Sequence, residues 1–273
     1  MHQLARDYGA PMTTLPSYRD LPRRGGLPAS WGLWGAHDTL GCLNLLTPER
    51  AVAAASLVRT GTVFALNWSM GLPDPPLFGR KPFSHEVTGS STGTSHDDVL
   101  HGWNTQSSSQ WDGFRHIRNH AALADEPGTG HYGGVDDAEH GIDHWARRGI
   151  VGRGVLADIG RWRESIGMPL QYDAPDPIDP DELLQCLEAQ GTVVEEGDVL
   201  LMRTGWIGWY EQLDQGMRTA IAAPDALVTP GLRSGERLAE VLWDLHIAAI
   251  RLTSLTAGPT TVKSRRSLLP MLP

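Results

Sequence analysis

Apolar and polar positions alternate along this chain with several distinct periods. The clearest helical signal opens at Thr47-Pro48-Glu49. Threonine is a good N-cap, proline suits the first helical position, and glutamate complements the positive end of the helix dipole. The run AVAAASLV carries this predicted helix toward Gly61. TVFALNW follows, and its β-branched and aromatic residues predict a strand. Residues 70–110 read as polar loop, with PDPPLFGRKP and then GSSTGTSHDD. EHGIDHWARR predicts a second helix over 139–148, stopped by Gly149, and IVGRGVLADI a mostly apolar strand. After the Pro-rich linker QYDAPDPIDP, Asp179 or Asp181 caps a helix over DELLQCLEAQ, whose Leu183, Leu184 and Leu187 share a face. TVVEEGDVLLMRT reads as two strands about a Glu-Gly turn. A last helix over 234–245 carries Leu238, Val241, Leu242 and Leu245 as one stripe, and HIAAIRL predicts a closing strand.

Helices and strands interleave without a strict βαβ rhythm, and no internal repeat divides the chain. The expectation is an N-terminal arm over residues 1–40, one α/β domain over 41–250, and an atypical basic tail over 251–273. The arm is rich in Gly, Pro and Trp, and Trp31 and Trp34 are expected to tie it down. From Leu245 to Pro273 there is no acidic residue, whereas Arg251, Lys263, Arg265 and Arg266 are basic.

Composition narrows the function classes. The 273 residues are 40% hydrophobic and 20% charged, enough for a real core. A net charge of −9 argues against a nucleic-acid or anionic-membrane partner, since both need a basic footprint. Cys42 and Cys186 lie in no metal-binding spacing, which disfavours a thiolate zinc site or a disulfide framework and suits the cytoplasm. No apolar run reaches the ~18–20 residues of a spanning helix, and MHQLARDYGAPMTT lacks the apolar core of a signal peptide. GRG at 152–154 lacks dinucleotide-loop spacing, and no GxSxG elbow points to a covalent serine.

The histidines are concentrated. Of 11, seven fall between His96 and His144: His96, His101, His116, His120, His131, His140 and His144. They share that window with many carboxylates, a combination that points to metal ligation or proton transfer. Within NTQSSSQWDGFRHIRNH, an extended 105–112 would turn Gln106, Ser108, Gln110 and Asp112 to one face. If Gly113 breaks the strand and a helix follows, His116 and His120 stack one turn apart. Gln110, Asp112 and His116 then form an open three-ligand site with room for water. The same pattern also suits a polar edge strand followed by a helix with two solvated histidines.

These residues carry a resemblance. Residues 106–116 align with the His-x-Gly-Thr-His-x-Asp-x-Pro-x-His motif of the metal-dependent cyclase family, which includes bacterial kynurenine formamidases and isatin hydrolase. Asp112 and His116 match literally, while Gln106 and Gln110 stand where that motif has histidines. A longer branch of the family resembles this chain more closely, with its own Asn-Thr-Gln-Ser-Ser-Ser-Gln-Trp-Asp-Gly pattern, as at 104–113. The resemblance extends through WGLWGAHDTLGCLNLLTPER, GIDHWARRGIVGRGVL and EEGDVLLMRTGW, and so over residues 30 to 250.

The resemblance implies a swivelling β/β/α-type single domain with a mixed central sheet. It also implies a metal-dependent hydrolase of a small amide, cyclic amide or lactone. Asp112 and His116 would bind a divalent metal, manganese or zinc, with Gln110 as third ligand. An amide oxygen is a harder, weaker donor than imidazole, which moves the preference from zinc toward manganese or magnesium. His120 would transfer the proton. Trp111 would wall the pocket or simply pack. Trp34, with Trp31 and His37, would line it or join the core, and Tyr132, in GHYGG, would touch substrate. Ser108 or Ser109 would bind the oxyanion or lie on a strand surface. His140 and His144 would form a second metal pair, or cap and pack near Trp145. Relatives are homodimers or larger, so the expected partners are a small-molecule substrate and further copies of the chain. The family pattern is lost after Ile250; the expectation there is an out-of-frame or naturally truncated end, and with it a catalytically impaired binding or structural subunit as the alternative function.

Overall fold

The computed structural model describes residues 14–24, 26–116, 132–134, 140–223 and 226–252. The expectations for His120, His131 and the tail beyond residue 252 lie outside the described residues.

The described chain starts with Leu15, Tyr18 and Leu21 buried against Trp243 and Ala248. It is Trp243 that fastens this arm, its Nε1 donating to the Pro16 carbonyl at 2.8 Å, with Tyr18 N donating to Asp244 at 2.7 Å. A short antiparallel pair, β1 (Arg23–Arg24) and β2 (Leu27–Pro28), follows. α1 (Pro48–Ala55) forms where the capping signals place it, with Thr47 Oγ1 accepting from Arg50 N. The strand expected at TVFALNW is absent. Val63 and Phe64 are exposed, and no described strand pairs with this segment, so its β propensity finds no ladder.

The segment expected to be loop instead holds a hairpin, β3 (Ser84–Gly89) with β4 (His96–His101), in antiparallel register from Ser84↔His101 to Gly89↔His96. Its turn closes through Ser90, whose hydroxyl accepts from Thr94 N and whose backbone N–H donates to Ser95 O at 2.9 Å. Both faces are largely polar and exposed, which hides the two-residue alternation that normally announces a strand. His85 donates to Asp98 (2.6 Å) and His101 to Glu86 (2.9 Å) across the pair.

The second half builds the body. α2 (Asp143–Arg148) ends at Gly149. β5 (Gly154–Ala157) leads into α3 (Ile159–Ser165), where Gly160 lies so close to the Thr204 carbonyl that a Cβ would sit 2.4 Å from it. β6 (Pro177–Ile178) precedes α4 (Pro180–Ala189), whose capping box joins Asp179 and Glu182. β7 (Val199–Met202) is the one strand formed by TVVEEGDVLLMRT. The first strand expected there gives way to a loop organised by Asp198, which accepts from Glu195 N and pairs bidentately with Arg153. Then come α5 (Trp206–Glu211), α6 (Gln215–Ala222), β8 (Gly231–Leu232), α7 (Glu236–Asp244) and β9 (Ala249–Leu252).

β5, β7 and β9 form a parallel sheet in that order, and β6 pairs in parallel with β8. Parallel and antiparallel pairings thus coexist in one mixed α/β domain. The core packs Ala157, Ile159, Leu200 and Met202 of the sheet region against Leu183, Cys186 and Leu187 of α4 and Leu238, Val241 and Leu242 of α7. The other flank of α7, Ala239 and Trp243, joins the N-terminal cluster. A third cluster gathers Trp68, Leu77, Trp206 and Tyr210. Among the described residues no helix is long and apolar enough to cross a membrane.

Candidate functional site

Residues 104–116 contain no strand, contrary to the extended 105–112 that the spacing suggested. Local polar bonds compete with a ladder here. Asn104 accepts from Gln106 N through its side chain (2.9 Å) and from Ser107 N through its carbonyl (3.0 Å), which closes a turn. Ser108 Oγ then donates to Ser69 O at 2.8 Å, and Ser109 Oγ accepts from Trp68 N at 2.7 Å. These two bonds fasten the segment to the 68–69 stretch, Ser108 using its hydroxyl proton and Ser109 only its oxygen.

Further along, Phe114 anchors the chain. It is buried, with its ring centroid 4.4 Å from Tyr132, 5.4 Å from His140 and 5.3 Å from Trp145. Behind it, Tyr132 donates its hydroxyl to Asp38 at 2.7 Å, and Asp38 also accepts from Gly41 N and from Asn44. Burial, with Asp38 beside it, pushes the Tyr132 hydroxyl well above its ordinary pKa. His140 is buried too, and its Nε2 donates to the Tyr132 carbonyl at 2.5 Å. Among the described residues His140 packs against Phe114 and Tyr132.

A turn closed by His116 N donating to Gly113 O at 3.0 Å folds the anchored chain back on itself. It brings His116 Nε2 to 3.8 Å from Asp112 Oδ2, and both side chains are open to water. Donor atoms about 2.0–2.2 Å from one ion lie roughly 3–3.5 Å apart, so this pair needs little adjustment to share a divalent cation. A carboxylate oxygen and an imidazole nitrogen suit zinc or manganese. Gln110 is exposed and makes no hydrogen bond to either partner. Among the described residues no three His, Cys, Asp or Glu side chains converge as a metal cluster. Asp112 and His116 are thus the two donors that the described residues bring toward a common ion.

The other expected site residues are placed as follows. Trp111, 46% exposed, stands on the open side beside Asp112. Trp34 packs edge-on against Trp243, 6.3 Å between centroids, within the arm's cluster. Tyr132, only 1% exposed, offers no open face, because its hydroxyl is used by Asp38 and its ring by Phe114.

Comparison with known proteins agrees with this architecture. The Cyclase family model matches residues 56–253. A crystal structure of a novel cyclase is similar with a TM-score of 0.66 and 25% identity, over 82% of this chain and 76% of that one. No curated protein matches. The match takes in the hairpin, the Asp112–His116 turn and the parallel sheet, and on that basis the chain belongs to the Cyclase family.

Proposed function

We propose that this protein is a metal-dependent hydrolase of a small amide, cyclic amide or lactone, in the manner of an arylformamidase. The observation that carries the proposal is the approach of Asp112 and His116 in a water-exposed turn, fastened from behind by Phe114. Asp112 and His116 would hold a divalent ion, manganese or zinc, with Gln110 as a neutral neighbour. When bound, such an ion polarises a carbonyl and lowers the pKa of a coordinated water.

The chain's own groups do the rest. Asp112 would supply a carboxylate to the ion, and the Gly113–His116 turn holds the imidazole beside it. His120, four residues beyond His116 and outside the described residues, would be the group to take a proton from the attacking water and return it to the leaving group. Trp111 supplies an apolar wall for a flat substrate. A homo-oligomer and a cytoplasmic location complete the proposal.

Turnover of formanilide and of simple lactones with added manganese or zinc tests it. Hydrolysis by the wild type, lost in Asp112→Ala and in His120→Ala while the folded signal persists, is the expected outcome. Hydrolysis that survives Asp112→Ala contradicts the proposal. A catalytically impaired binding subunit is the second reading, favoured by the convergence of two rather than three ligating side chains among the described residues.

A further inference from the structure

Phe114 sits midway between Asp112 and His116 and is the one buried residue of that turn. The Asp112 and His116 side chains on either side of it are open to water. Their spacing is therefore inherited from the backbone, and the backbone is held where Phe114 is held. Three rings enclose Phe114, with Tyr132 against its face and His140 and Trp145 edge-on. The Gly113 backbone also lies against Ile142, the residue before α2, where a Cβ would be 3.4 Å from Ile142 Cδ1.

Two of the three rings are hooked onto consecutive residues of one distant turn. Tyr132 donates its hydroxyl to the Asp38 carboxylate at 2.7 Å, and Trp145 donates Nε1 to the Thr39 carbonyl at 3.1 Å. The third ring follows the first, because His140 Nε2 donates to the Tyr132 carbonyl. The 38–39 turn is itself firmly built. Asp38 accepts from Leu40 N, Gly41 N and Asn44 Nδ2, and Leu43, Leu45 and Leu46 just beyond it are buried in the cluster that holds Trp243. A continuous series of contacts thus runs from that cluster, through Asp38 and Thr39, to the turn that carries Asp112 and His116.

We infer that Asp38 and Thr39 are positioning residues: by fixing the Tyr132 and Trp145 rings around Phe114, they set Asp112 against His116 and so set the affinity of that pair for its ion. The inference rests on the metal-binding reading of the pair. Ligands serve an ion well only where their supports hold them within about 0.5 Å of the working geometry. Losing a partner that bonds a ligand directly costs roughly 10–100-fold in metal affinity. Here the support reaches the ligands through packed rings, so a smaller loss is expected for each hydrogen bond removed.

Substituting Asp38 would also dissolve its own turn. The test therefore removes each hydrogen bond from the ring side, in the full chain, with Tyr132→Phe, Trp145→Phe and the double variant. Manganese affinity is read by electron paramagnetic resonance, and amide exchange over residues 110–116 by mass spectrometry on the metal-free protein. The expected result is manganese binding about three- to tenfold weaker in each single variant and weaker still in the double. Exchange over 110–116 should be about threefold faster or more, with exchange over α4 and β7 unchanged. A merely structural contact would speed exchange throughout, or lower the melting temperature, and leave the manganese affinity of the folded protein as it was. That result overturns the inference, as does no change in either readout. Should Trp145→Phe not fold, Tyr132→Phe alone carries the test. If the wild type takes up neither manganese nor zinc, exchange decides. Acceleration confined to 110–116 retains the positioning role and removes the metal reading, whereas its absence removes both.

Discussion

In the parallel-sheet body, Leu183, Cys186, Leu187, Leu200 and Met202 are each no more than 4% exposed. In the 104–116 segment only Ser107 and Phe114 are buried, and the backbone is held by Asn104, Ser108 and Ser109. The body is an apolar assembly in which each side chain is fixed by many neighbours. The site segment is a string of turns fixed at a few named atoms. Stability therefore resides in the first and the proposed ligand chemistry in the second, and each can be perturbed with limited effect on the other.

The largest expected effect tests the body. Leu183→Ala empties a fully buried position and should cost about 2–5 kcal/mol, read from urea denaturation. Val63→Ala, at a position 91% exposed, should stay within about 0.5 kcal/mol. Equal losses at the two positions would break the contrast.

A smaller effect tests the join between the regions. Tyr132→Phe keeps the ring against Phe114 but removes the hydrogen bond to Asp38. Asp38 retains its Gly41 and Asn44 donors, so a loss of about 1 kcal/mol is expected in a thermal melt. A loss several times larger would show that the Tyr132–Asp38 contact governs the fold of the body as well.

The cysteines give the subtlest test. Burial pushes the Cys42 thiol from 9.0 up to about 12 and that of Cys186 up to about 11. A raised folded-state pKa favours the protonated native form. The stabilisation is thus complete below about pH 9 and declines as pH rises toward 11 and 12. At pH 8 neither thiol should react with an aromatic disulfide reagent until denaturant is added. Rapid labelling of the native protein would mean that the body opens readily.

The same contrast explains what the sequence made legible. α1, α4 and α7 follow from Thr47-Pro48, the Asp179 capping box and the Leu238–Val241–Leu242 stripe, because capping and helical periodicity are local. The hairpin at 84–101 is hidden because polar side chains lie on both of its faces. TVFALNW has the composition of a strand but no partner among the described residues, and pairing is not written in a single segment. At the site, the spacing suggests that Gln110, Asp112 and His116 converge through an extended segment; the described residues instead form turns, which leave His116 3.8 Å from Asp112. Tyr132 is committed to Asp38 from 94 residues away, and the 108–109 serines to the 68–69 stretch from about 40. Such long-range bonds have no local signature.

The most direct test of the account is a manganese titration followed by electron paramagnetic resonance, on the wild type, Asp112→Asn and His116→Ala. The account predicts a saturable site in the wild type, weakened at least tenfold in each variant while both keep the wild-type melting curve. Undiminished manganese binding by the two variants, or no uptake of manganese or zinc by the wild type, would contradict it.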